Sequence, residues 1–154
     1  MYSRILVPLD GSKLAEKALP HAQGLAKTSG ASIHLINVFT KHPSSGIPPT
    51  GGPESDRSAG STAELARQLE EAQISGMDGY LAHIAAQLEH DGIQAEREIH
   101  EGPAHDHIID YAKQHGIDLI VMSTHGHGGL KRLLLGSITD RVIRAGEVPV
   151  LVVP

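Results

Sequence analysis

An α/β fold built on a doubly wound, five-stranded parallel sheet is what this sequence predicts, on two observations. Four short apolar runs, each the length of a strand covered on both faces, and one run alternating apolar with charged residues recur along the chain. Between them lie segments with apolar residues at helical spacing, and such alternation makes βαβ units whose right-handed crossovers put helices on both sides of the sheet.

Arg4-Ile5-Leu6-Val7-Pro8 is the first run, stopped by Asp10-Gly11-Ser12. Ser12 is placed to cap a helix in which Leu14, Ala15, Ala18, Leu19, Ala22, Leu25 and Ala26 share a face and Gly30 marks the stop. Pro20 removes one helical hydrogen bond, so a bend is expected there. The second strand is Ser32 to Val38. From Lys41 to Ser61 the chain is rich in Pro, Gly and Ser without apolar periodicity. This predicts a flexible insertion at about 41–62 in a single domain spanning 1–154, read either as a surface loop or as a lid.

Leu65, Leu69, Ala72, Met77, Leu81, Ile84, Ala85 and Leu88 predict a long helix, weakened at Gly76 and Gly79 and ending near Asp91-Gly92. Ile93 to His100 alternates, with Ala95, Arg97 and Ile99 on one face and Gln94, Glu96 and Glu98 on the other, as an edge strand does. Gly102-Pro103 opens a helix carrying Ile108, Ile109 and Ala112, closed by Gly116. Asp118 to Thr124 is the fourth strand. After Gly136 comes a helix with Ile138, Val142 and Ile143, and Val148 to Val153 is the last strand, apolar and at the other edge. Its unpaired backbone groups invite pairing with a second copy of the chain.

The totals narrow the function. In 154 residues, 40% are hydrophobic and 20% charged, the balance of a folded domain rather than of a disordered or membrane chain. No apolar run approaches the roughly 20 residues that span a bilayer, and the first residues lead straight into a strand, which predicts a cytoplasmic address. With no cysteine there is no disulfide, thiolate nucleophile or Cys-based metal site. A net charge of −5, one Phe, three Tyr and no Trp argue against nucleic acid as a partner.

Ligands of doubly wound sheets sit at the carboxyl ends of the strands where the strand order reverses. With the order 3-2-1-4-5, the reversal lies between the first and fourth strands. Pro8-Leu9-Asp10 then faces Met122-Ser123-Thr124-His125-Gly126 across one crevice, followed by His127, Gly128, Gly129 and, further on, Gly136-Ser137-Ile138. Glycine backbone and a helix start suit an anion such as phosphate, although tight structural turns demand glycine too. The stretch is neither a Walker loop, since no Gly-Lys-Ser/Thr follows, nor a Gly-x-Gly-x-x-Gly fingerprint.

Asp10 has two readings that are compatible, an acceptor for ribose hydroxyls and a cap for the following turn. His125 and His127 are either solvated or donors to phosphate, and Lys131 and Arg132 either solvated or neutralising. His100, His105 and His107 lie near one another in sequence, but no carboxylate or cysteine at metal spacing accompanies them, so no protein-bound metal is expected.

These residues resemble the universal stress proteins of the UspA type. The likeness runs through Ile5-Leu6-Val7-Pro8-Leu9-Asp10-Gly11-Ser12, Gly102-Pro103-Ala104, Asp118 to Gly126, Leu133-Leu134-Leu135-Gly136-Ser137 and Pro149 to Val153. The family's ATP-binding members carry Gly-x-x-Gly, nine residues, then Gly-Ser/Thr. Gly126 and Gly136-Ser137 keep that spacing, while Ser123 stands where the first glycine belongs. The resemblance implies a Rossmann-like, adenine nucleotide alpha hydrolase-like fold and a regulatory protein of the stress response that binds ATP, or ADP or AMP. Mg2+ or Mn2+ would arrive on the phosphates.

It further implies that Pro8, Leu9, Asp10 and Val38 serve the adenosine, and that Gly126, Gly136 and Ser137 serve the phosphates, with Met122, Ser123, His125, His127, Gly129 and Ile138 around them. A homodimer through Val148 to Val153 and an unidentified regulatory target complete the expectation. Two rivals stay open. One is a slow ATP hydrolase or phosphotransferase using His125 or Asp10 as base, against which stands the lack of a P-loop lysine, an arginine finger and paired metal-binding carboxylates. The other is a dimeric stress module that binds no nucleotide.

Overall fold

A computed structural model describes residues 1–40, 56–124 and 136–154. Five parallel strands, β1 (Arg4–Pro8), β2 (Ser32–Phe39), β3 (Ala95–Glu101), β4 (Leu119–Ser123) and β5 (Val150–Val153), form one sheet in the order β3-β2-β1-β4-β5. The order therefore reverses between β1 and β4. Both edge strands are the ones expected from their sequences.

Because side chains alternate along a strand, the sheet feeds two separate cores. On one face Ile5, Val7, Ile33, Leu35, Leu119 and Val121 pack against α2 (Ala18–Ser29) and the end of α3 (Asp56–His90). Ala18, Ala22 and Ala26 of α2, four residues apart, are all buried, and their small side chains let the helix lie close to the sheet. On the other face Leu6, Ile36, Ile120 and Met122 meet Ile108, Tyr111 and Ala112 of α4 (Ala104–Gln114) and Val142 of α5 (Ser137–Ala145). Helices thus cover both faces, as the βαβ pattern requires.

Strand ends differ from the sequence reading by one or two residues, β5 starting at Val150 rather than Val148, and three differences go further. The first helix is two: α1 (Lys13–Glu16) ends at Lys17 and α2 starts at Ala18. Pro20 is consequently the third residue of α2, where its missing N–H is one of the first-turn groups that lack a helical partner, so it starts a helix rather than bending one. Next, α3 begins at Asp56, so residues 56–62 belong to a helix, and the rest of the predicted insertion, 41–55, lies outside the described residues. Finally, Ile93 precedes β3 and closes α3 instead. Its N–H donates to Leu88 O at 2.9 Å and that of Gly92 to Glu89 O at 2.9 Å, with Gly92 at φ +80°. This is a Schellman cap, complete with the buried contact between Ile93 and Leu88.

Candidate functional site

The carboxyl ends of β1 and β4 open a cleft at the reversal point. On the β1 side the chain leaves the sheet at Pro8, and the Leu9 N–H still donates to Ile36 O at 2.8 Å. The buried Asn37 side chain donates from Nδ2 to Leu9 O at 2.8 Å, so a side chain takes over where the ladder ends. Asp10 Oδ1 then accepts from the Ser12 N–H at 2.9 Å, and Ser12 Oγ accepts from the Ala15 N–H at 3.1 Å, capping α1. Between them Gly11 takes φ +81°, and Met77 of α3 stands 3.4 Å from where a Cβ would be. The turn-capping reading of Asp10 is what the structure shows.

On the β4 side, Thr124 joins three elements. Its N–H donates to Val153 O at 2.9 Å, and its carbonyl accepts from the Gly136 N–H at 2.7 Å. The buried Thr139 side chain donates from Oγ1 to Ser123 O at 3.0 Å, fixing the head of α5 against the end of β4. Gly136 caps α5 with φ −57° and ψ 152° and has no side chain to bond the first-turn N–H groups. Ser123 is the last residue of β4, and no non-glycine residue among those described has a positive φ. The backbone conformation at the position that departs from the glycine pattern is therefore one that serine adopts freely.

The cleft encloses about 540 Å³, solvent at its mouth included. Its walls are apolar: Ile36 and Val38 of β2, Met122 of β4, Ala104 and Ile108 of α4, and Ile138 of α5. Asp10, Ser123 and Thr139 supply the polar atoms at its rim, with Pro8, Leu9 and Ala15 completing the lining. This is the composition of a small-molecule pocket, apolar with few placed polar groups. Tyr80 stands behind Asp10: its hydroxyl donates to Glu16 Oε1 at 3.2 Å. Burial first, then the negative charges of Glu16 and Asp10, push its pKa well up, so it remains a neutral donor.

Of the residues singled out in the sequence, Pro8, Leu9, Asp10, Val38, Met122, Ser123 and Ile138 come together in this cleft. Gly136 and Ser137 stand just before Ile138, at the start of α5, and are not part of its wall. His125, Gly126, His127 and Gly129 lie outside the described residues. Sequence reasoning missed Ala15, Ile36, Ala104, Ile108 and Thr139. A signal existed for Ile36, which shares a face with Val38 two positions on, and for Ile108, the apolar anchor of α4. Thr139 carried none, because its bond to Ser123 O depends on tertiary placement.

Across residues 1–154 the chain matches the family described as the Universal stress protein family. Universal stress protein MJ0531 of Methanocaldococcus jannaschii is 35% identical over 155 residues, covering 99% of this chain and 82% of that one. The solved structure of the hypothetical protein MJ0577, from the same organism, matches with a TM-score of 0.78 at 31% identity, covering 99% and 96% of the two chains. The universal stress protein from Archaeoglobus fulgidus in complex with dAMP shares the fold, with a TM-score of 0.59 at 18% identity over 99% and 98% of the two chains. With its whole length matched and its fold shared, the chain belongs to the universal stress protein family.

Proposed function

We propose that this protein binds an adenine nucleotide, ATP or its di- or monophosphate, in the cleft between β1 and β4, and acts in the cytoplasm as a homodimeric regulator of the stress response. The observation that carries the reading is the juxtaposition of an apolar slot, an acidic residue at its rim and the uncapped start of α5. A purine ring fits against Val38, Ile36, Met122 and Ile108. Ribose hydroxyls donate to the Asp10 carboxylate, and phosphates reach the first-turn N–H groups of α5 from Ser137 on, beside Gly136, whose own N–H is held by Thr124 O. The resemblance assigns Gly126 to the phosphates, with His125, His127 and Gly129 beside it in sequence, and Mg2+ or Mn2+ rides on the phosphate oxygens. The dAMP complex of the Archaeoglobus relative supports an adenine base as the ligand of this fold.

Calorimetry with ATP, ADP and AMP tests this. Binding of one nucleotide per chain is expected, with Asp10→Ala weakening it by about tenfold, a factor worth about 1.4 kcal/mol. Absence of binding at millimolar nucleotide in the folded wild-type protein would overturn the reading.

The dimer rests on β5. It pairs with β4 on one side, no described strand covers its other edge, and Val150, Leu151 and Val152 are half-exposed. Addition of a second copy's β5 would satisfy the open edge. Sedimentation at micromolar concentration is expected to give a dimer that Val152→Lys converts to monomer; a monomeric wild-type protein would sink this part of the proposal.

A further inference from the structure

Away from the cleft, toward the amino-terminal half of the sheet, the polar face of β3 is not simply solvated. His34, at the centre of the apolar strand β2, is 3% exposed and lies in register with Glu96 of β3. Its Nδ1 is 3.5 Å from Glu96 Oε2 and 3.1 Å from the hydroxyl of Tyr111, itself buried. His115, the residue that caps the end of α4, stacks its ring on Tyr111 at 3.9 Å between centroids and 9° between planes. One ligand atom each of His34, Glu96 and His115 lie within 4.8 Å of one another, and among the described residues no other His, Asp or Glu group converges in this way.

We propose that His34, Glu96 and His115 form a binding site for a divalent cation of the zinc class. Two imidazoles and a carboxylate are the donor set that borderline ions take, whereas Mg2+ and Ca2+ favour oxygen throughout. Ligand atoms of a tetrahedral zinc ion, each about 2.0–2.1 Å from the metal, are roughly 3.3 Å apart. The pair His34 Nδ1 and Glu96 Oε2 already stands near that separation, and the partly exposed His115 ring closes the remainder.

The surroundings suit the ion. With its proton on Nε2, toward Ser32 Oγ at 3.4 Å, His34 accepts at Nδ1 from the Tyr111 hydroxyl at 3.1 Å, and the ion takes the place of that hydroxyl. Glu98, with Oε1 3.9 Å from His115 Nε2, supplies a second negative charge, against which stands one cation, Arg4, bound through Nη1 to His115 O at 2.7 Å. The fourth position falls to Glu98 or to water. Bound there, the ion ties β2, β3 and the end of α4 together at the open edge of the sheet.

The site is independent of the nucleotide reading, and its test omits nucleotide. Zn2+ is titrated into the full chain against a chromophoric chelator, and Co2+ binding is followed by its visible spectrum. One equivalent at micromolar affinity or tighter is expected, with tetrahedral Co2+ bands. Glu96→Gln and His115→Gln, at exposed or half-exposed positions and checked for native circular dichroism, are each expected to weaken binding at least tenfold. The double variant His100→Gln/His107→Gln is expected to change it less than twofold. Zn2+ binding weaker than about 100 µM, or affinity that survives Glu96→Gln and His115→Gln but falls with the His100/His107 pair, would overturn the assignment.

Discussion

Leu88→Ala is expected to destabilise the protein by about 2–5 kcal/mol, whereas Leu69→Ala, on the same helix, should change stability by less than about 0.5 kcal/mol. The contrast follows from how α3 is held. Among the described side chains of this 35-residue helix, the buried ones are Leu81, Ile84, Ala85 and Leu88 in its last third, with Leu81 and Leu88 fully buried. Leu65 and Leu69 are 56% and 64% exposed. Truncating Leu88 opens a cavity against the sheet and also removes half of the apolar contact that accompanies the Gly92 cap. Urea unfolding of the two variants measures the difference; similar midpoints for both would mean that α3 is not anchored through its end.

Asn37→Ala is the second change with a large expected effect, because one side chain supports both the fold and the site. It removes the 2.8 Å donor to Leu9 O in a place that water does not reach, for which about 1–3 kcal/mol is the usual loss. The Leu9 carbonyl lies one peptide before Asp10, so its release lets the carboxylate drift from the cleft. Nucleotide affinity is expected to fall about tenfold in Asn37→Ala, and little further in Asn37→Ala/Asp10→Ala, since neighbours acting through one group are not additive. Full additivity in a calorimetric cycle would show that Asn37 serves stability and nothing else.

How much of this was legible depended on the kind of signal. The apolar runs gave the strands and the alternation gave the sheet, because burial on both faces is written into composition itself. The break at Lys17 was hidden: Lys17 keeps helical angles (φ −59°, ψ −23°), and the alanine stripe reads straight through it. At the cleft, the two strand tips were readable as motif, whereas Ala104 and Ile108 enter only because α4 crosses that face. The polar face of β3 misled most. Glu96 and Glu98 look like solvated edge residues, yet α4 brings Tyr111 and His115 to them, and the one hint was a histidine among the apolar residues of β2.

The hydrogen bond between Thr124 O and Gly136 N has a consequence for sequence variation. It fastens together the two ends of the segment 125–135, so the entropy of closing that segment is met by a rigid frame whatever lies between. Closure entropy rises only by about 0.6 kcal/mol for each doubling of length. Folding therefore constrains the length of this stretch only weakly, so the nine-residue spacing kept between Gly126 and Gly136 is not a demand of the clasp, while the two clasping positions and Thr139 beneath them hold the end of β4 to the head of α5.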